Sequence, residues 1–183
     1  MRVFGIDPGS TRTGYGCVQS DGTRHSLIVC GAIAIPGRHP FPRKLQIIHA
    51  ELASLISRHR PDCVAIESLF HAINALSALK LGHARGVAML AAVEAGVPIV
   101  EYTPAEVKQS VVGYGRAEKR QVQSMIQLLL GLTAPPSPHD ASDALAIAIC
   151  HLHKMNLRGV AGEIGRPVGS AHAASWRGFR LPR

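Results

Sequence analysis

Pro61-Asp62-Cys63-Val64-Ala65-Ile66-Glu67 is the stretch on which the fold turns. The proline stops a preceding helical pattern, residues 63–66 form a continuous apolar run without polar alternation, and Glu67 closes it. Such a run suits a strand buried on both faces, as parallel strands are when helices cover them. Glutamate has low strand propensity, so its place at the end of the run needs an explanation.

Working outward, residues 1–6 form another short apolar run, ending in Asp7-Pro8-Gly9. Residues 13–19 and 24–35 are β-like and separated by Asp21-Gly22, a hairpin signal, so the N-terminal third reads as an antiparallel meander. Over residues 41–59, Leu45, Ile48, Leu52, Leu55 and Ile56 follow the spacing of an amphipathic helix. Residues 73–95 predict a long helix with Leu76, Leu79, His83, Val87, Leu90 and Ala91 near one side and Gly96 as its stop. A strand over 97–102 follows, and Thr103-Pro104-Ala105-Glu106 is a capping box with proline at the first helical position. Two more helices are expected, over 118–130 and 138–154. The order predicts one α/β domain, residues 1–155, with a mixed five-stranded sheet (antiparallel meander plus parallel strands) flanked by helices. Ligands gather at the carboxyl ends of strands in such sheets, and Asp7 and Glu67 each sit at one.

The chain has 183 residues, and its 46% hydrophobic and 17% charged content is that of an ordinary globular protein. From Asn156 onward five arginines face one acid, Glu163, among Gly, Ala and Ser, so residues 156–183 read as a basic, flexible tail. The formal charge of +8 suits an anionic partner, nucleic acid being the commonest, although composition alone fits a merely basic soluble protein equally well. Cys17, Cys30, Cys63 and Cys150 lie far apart without a CxxC, which disfavours a zinc knuckle or a disulfide framework and favours reduced thiols in the cytoplasm. No secretory leader is expected. The apolar stretch 73–95 carries Lys80, His83, Arg85 and Glu94, which excludes it as a membrane span.

Asp7 by itself has three readings: a turn cap before Pro-Gly, a metal ligand, or the first phosphate motif of the actin-like and sugar-kinase superfamily. Glu67 fits an edge salt bridge or a functional acid. The functional reading gains once Asp7 occupies a neighbouring strand end, because adjacent carboxylates repel unless a cation or proton compensates. In Ser137-Pro138-His139-Asp140-Ala141-Ser142-Asp143, the two aspartates are i and i+3 on a helix. Asp140 also fits a capping box with Ser137, whereas Asp143 lies a turn further in, ahead of the apolar run 144–148, and needs a partner. Four carboxylates without cysteine select hard cations, Mg²⁺ or Mn²⁺. Two such ions are the equipment of phosphodiester hydrolysis.

The motifs Phe4-Gly5-Ile6-Asp7-Pro8-Gly9-Ser10, Thr13-Gly14-Tyr15-Gly16, Ala65-Ile66-Glu67 with Phe70, Ser77 through Gly86, Val107-Lys108-Gln109, Val112-Gly113-Tyr114-Gly115 with Glu118-Lys119, and Asp140 through Ala146 resemble, in order, those of the bacterial RuvC Holliday junction resolvases. The resemblance implies an RNase H-like fold and a homodimer working with a branch-migration motor complex. It also implies paired nicks across a four-way DNA junction, leaving 5′-phosphate and 3′-hydroxyl ends. It makes Asp7, Glu67, Asp140 and Asp143 the catalytic ligands of two Mg²⁺ ions, with Mn²⁺ as a substitute. Phe70 matches an aromatic that stacks on an unpaired base, Lys108 and Lys119 match phosphate contacts, and Lys80 and Arg85 are further expected DNA contacts. Two residues depart from the pattern: Ile73 stands where relatives carry a basic residue, and His139 precedes the aspartates, as a surface residue or a base behind the ligands. Gly82 and Gly86 allow close helix approach, within the subunit or across a dimer. A non-catalytic branched-DNA-binding module and an actin-like ATPase are the competing functions.

Overall fold

The computed structural model describes residues 1–68 and 75–164, the last eight by backbone alone. The order of elements is β1 (Arg2–Asp7), β2 (Arg12–Ser20), β3 (His25–Ala34), α1 (Phe41–His59), β4 (Cys63–Glu67), α2 (Ala75–Glu94), β5 (Ile99–Tyr102), α3 (Pro104–Val112), α4 (Lys119–Leu129) and α5 (His139–Ile164). The sheet runs β3-β2-β1-β4-β5. β1, β2 and β3 are antiparallel neighbours, while β4 is parallel to β1 and to β5. This is the expected RNase H-like mixed sheet, with the 61–67 stretch supplying the turn from antiparallel to parallel.

Local chemistry sets these boundaries. Asp21 accepts the backbone N–H groups of Thr23 and Arg24 at 2.9 and 2.8 Å, and Gly22 takes the positive φ of 105° that closes the β2–β3 hairpin. The α1 helix ends at Arg60 in the left-handed conformation, followed by Pro61. At α3 the Thr103–Glu106 capping box is formed in both directions.

Strand alternation divides the interior in two. Phe4, Ile6, Cys17, Val64 and Ile66 point to the α1–α2 side, where Ile48, Leu52 and Ile56 of α1 bury against them. Val3, Val18 and Ala65 point the other way, onto α5 and the flanking α3 and α4.

The α2 helix turns the leucines of its expected stripe outward. Its buried residues are Ala84, Ala88, Ala91 and Ala92, whereas Leu76 and Leu79 are about 60% exposed and Leu90 is 47% exposed. Small side chains let α2 lie close on α1 and the sheet, so the larger apolar residues are turned outward. The α5 helix also runs on to Ile164, across the expected start of the tail at Asn156. Among the described residues no helix is long and apolar enough to cross a membrane.

The α5 face of the sheet is unusually bare. A Cβ on Gly5 would collide with the carbonyl oxygen of Ala144, one on Gly14 with the carbonyl oxygen of Asp140, and one on Gly16 would meet the Leu145 side chain at 2.7 Å. Helix backbone therefore rests directly on strand backbone at β1 and β2. Gly5→Ala should destabilise the protein by about 3 kcal/mol through overpacking against backbone that cannot yield, as read from denaturant unfolding. Gly37→Ala, where a Cβ meets nothing within 4 Å among the described residues, should be neutral or slightly stabilising in the same measurement.

Candidate active site

Asp7 ends β1 and Glu67 ends β4, and these parallel neighbours are aligned with Ile6 opposite Ile66. Both acids thus occupy the same end of adjacent strands and point, like Gly5 and Ala65, toward α5. The turn after Asp7 is pinned by fully buried Thr13, whose hydroxyl donates to the Gly9 carbonyl at 2.9 Å and accepts the Gly9 N–H at 3.3 Å.

The first turns of α5 supply Asp140 and Asp143, held over the strand ends because the helix sits on Gly14 and Gly5. A cleft of about 250 Å³ opens among Asp7, Glu67 and Asp143, with Lys108 of α3 and Lys119 of α4 in its wall. Asp140 lies at the rim, outside that wall. A larger cavity of about 910 Å³ beside α3 and the later turns of α5 includes none of the four acids.

The site is short of positive charge. Burial first, then the Glu67, Asp143 and Asp140 carboxylates, push Asp7 from its ordinary 3.8 up to about 8, against the opposing pull of Lys119. Glu67 is raised as well, by burial and then Asp143, with Lys119 and Lys108 working the other way. Lys119 is held above its ordinary value, chiefly by Asp143, to which its ammonium is bonded at 3.3 Å.

An all-carboxylate donor set, with no cysteine or histidine among the described residues of the cleft wall, suits hard divalent cations. In the arrangement seen, no three His, Cys, Asp or Glu side chains among the described residues are gathered into a ready ligand set. The two α5 carboxylates are held instead by bases, Asp143 by Lys119 and Asp140 by Arg12 at 3.4 Å. The latter pairing replaces the Ser137 cap as the recorded partner of the Asp140 side chain.

The remaining expected residues divide. Lys108 and Lys119 border the cleft. Arg85 is committed to the scaffold, donating to the Glu67 carbonyl at 3.3 Å and pairing with the Glu101 carboxylate, so it ties the ends of β4 and β5 together. Lys80 is exposed on α2, and His139 is exposed as the first residue of α5, outside the cleft wall. Phe70 and Ile73 lie outside the described residues. Two residues escaped the sequence reading: Thr13, which pins the Asp7 turn, and Arg12. Alternation held the clue to Arg12, which shares a strand face with Gly14.

The chain matches the family model of the crossover junction endodeoxyribonuclease RuvC over residues 3–151. The RuvC protein of Koribacter versatilis (strain Ellin345) is 56% identical over 154 residues, 84% of this chain and 93% of that protein. That of Trichlorobacter lovleyi is 48% identical over 180 residues, 98% of this chain and 99% of the relative. Among solved structures, Thermus thermophilus RuvC in complex with Holliday junction substrate aligns with a TM-score of 0.79 at 35% identity, covering 86% of this chain and 96% of that one.

The raised Asp7 has a consequence for stability in metal-free buffer. Between pH 3.8 and about 8 the unfolded chain gives up a proton that the folded protein retains, so stability falls as pH rises through that window. Asp7→Asn removes the penalty. It should leave stability unchanged below pH 4 and raise it by about 2 kcal/mol at pH 8 and above, measured by urea unfolding in EDTA. A variant less stable than the parent at pH 8 would contradict the electrostatic account.

Proposed function

The chain belongs to the RuvC family of crossover junction endodeoxyribonucleases and is a metal-dependent nuclease that resolves Holliday junctions in recombination and repair; we propose that it works as a homodimer making paired symmetric nicks with two Mg²⁺ ions per active site. The observation that carries the metal reading is the cluster of acids around Asp7, whose charge the neighbouring bases leave uncompensated.

Asp7 and Glu67, fixed at strand ends, together with Asp140 and Asp143 on α5, would hold the ions, with Mn²⁺ able to replace Mg²⁺. Bound there, the ions would activate a water and stabilise the leaving oxygen of an in-line displacement. The backbone that carries the strand-end acids is fastened by Thr13 at the Asp7 turn and by Arg85 at the Glu67 carbonyl, which fixes the positions from which the two carboxylates project. Lys108 and Lys119 would hold the phosphates that flank the cut without reading sequence. Phe70 and Lys80 are proposed further DNA contacts, and Arg85 acts there through the strand ends it joins. His139, exposed and outside the cleft wall, is better suited to a surface role than to proton transfer.

The homodimer finds support in α2. Its outward leucines line a shallow apolar groove with Gly82 and Gly86, where a Cβ would meet nothing of this subunit. A second copy related by a two-fold axis would cover that face and set two sites on opposing strands. A branch-migration motor complex is the proposed further partner, and the basic residues 156–183 are proposed to add nonspecific phosphate contacts. The four cysteines are free and three are buried, which suits the reducing cytoplasm proposed for the reaction.

Two measurements test this reading. Asp7→Asn should lower Mg²⁺-dependent cleavage of a synthetic four-way junction by at least about 1000-fold while junction binding persists; an active variant would remove the proposed mechanism. Leu79→Glu should convert the dimer to monomer in analytical ultracentrifugation at micromolar concentration, and should yield singly nicked rather than paired products. A variant that remains dimeric would move the interface away from α2.

A further inference from the structure

The Arg12–Asp140 pair is not explained by the proposed nuclease mechanism. Arg12 opens β2, and alternation puts it on the same face as Gly14 and Gly16, under α5. Because Gly14 lets the Asp140 backbone rest on β2, the side chain one pleat further out is brought beside the Asp140 carboxylate, and Arg12 Nη1 meets Asp140 Oδ2 at 3.4 Å. The turn leading into β2 is fastened by Thr13 to Gly9, which fixes the start of the strand from which Arg12 projects.

We propose that Arg12 is a positioning residue for Asp140, an internal counter-ion that holds this carboxylate at the rim of the cleft in metal-free protein and is exchanged for a divalent cation when the site loads. This rests on the metal reading of the four acids. The pair is suited to exchange. Its partners are 52% and 31% exposed, and an ion pair that open to water is weak. A divalent ion contacting several carboxylates at once outcompetes a single guanidinium held by one long bond. Lys119, in the cleft wall, stands in the same relation to Asp143, so both α5 acids are paired with bases, while the strand-end acids Asp7 and Glu67 have no such direct ion pair among the described contacts. Metal loading is then an exchange of cations on α5 over a prearranged pair on the sheet.

The test measures Mn²⁺ affinity by electron paramagnetic resonance in full-length protein without DNA. The variants are Arg12→Gln, Arg12→Lys and, as a charge control on the surface of α1, Arg43→Gln. Arg12→Gln should bind Mn²⁺ three- to tenfold more tightly than the parent, with Arg12→Lys between them because it keeps the charge but loses the planar fork. Arg43→Gln should match the parent. Thermal midpoints in EDTA separate a positioning role from a structural one, and Arg12→Gln should stay within about 2 °C of the parent. Equal Mn²⁺ affinity in Arg12→Gln and parent, or equal tightening by Arg43→Gln, overturns the inference and leaves the metal reading standing. A parent protein that binds no Mn²⁺ overturns the metal reading itself.

Discussion

At Gly5 and Gly14 there is no space for a Cβ between the sheet and the carbonyl oxygens of Ala144 and Asp140. Helices usually pack on sheets through layers of side chains; here the start of α5 lies on strand backbone, and everything about the site's geometry depends on that approach. It brings the first turns of the helix down to the level of the Asp7 and Glu67 carboxylates, which would otherwise face a gap one side chain deep. The same contact leaves little freedom of adjustment, because backbone cannot change rotamer and tightly packed interiors relax only partially. Precision in carboxylate placement and intolerance of a single methyl group are thus two results of one contact.

That placement puts stability and activity in opposition. Burial, and then the other acids gathered at one end of the sheet, push Asp7 up to about 8 and raise Glu67 as well, so the metal-free fold carries an electrostatic cost that a neutral residue would not impose. The surroundings offset it in graded fashion. Lys119 and Arg12 pair directly with the α5 acids, while Lys108 acts on Glu67 at a distance. The divalent cations proposed for this site would complete what these side chains begin. The described ion pairs of the site are thus those of the two α5 acids, Asp140 with Arg12 and Asp143 with Lys119.

The α2 helix shows a second division of labour. Alanines face the core, which allows α1, α2 and the sheet to come close together, and the displaced leucines make an apolar surface outside. An exposed stripe of large apolar residues is costly for a lone subunit and is resolved when a second copy covers it. The inner face of this helix thus serves the fold, and in the proposed homodimer its outer face would serve a second interface, between copies.

Much of this was legible in the chain. The run 63–66 closing in Glu67, the Asp21-Gly22 hairpin and the Thr103–Glu106 capping box are short-range signals, and the elements they predict formed within a few residues of their expected limits, because propensity, alternation and capping are properties of neighbouring residues. The ordered motifs likewise singled out the acids that the fold brings close enough to act on Asp7. The outward turn of the α2 leucines was not legible, since periodicity gives a stripe without saying which way it faces. Nor was the commitment of Arg85 to Glu67 and Glu101, or of Arg12 to Asp140, partners 128 residues apart in sequence. The sequence by itself determined the elements, the family and which acids to look for at the strand ends and at the start of α5. Which base meets which acid, and how far burial raises each carboxylate, was decided by tertiary structure, because charge interactions depend on distance through space and on the exclusion of water, neither of which exists until α5 is seated on the glycine floor.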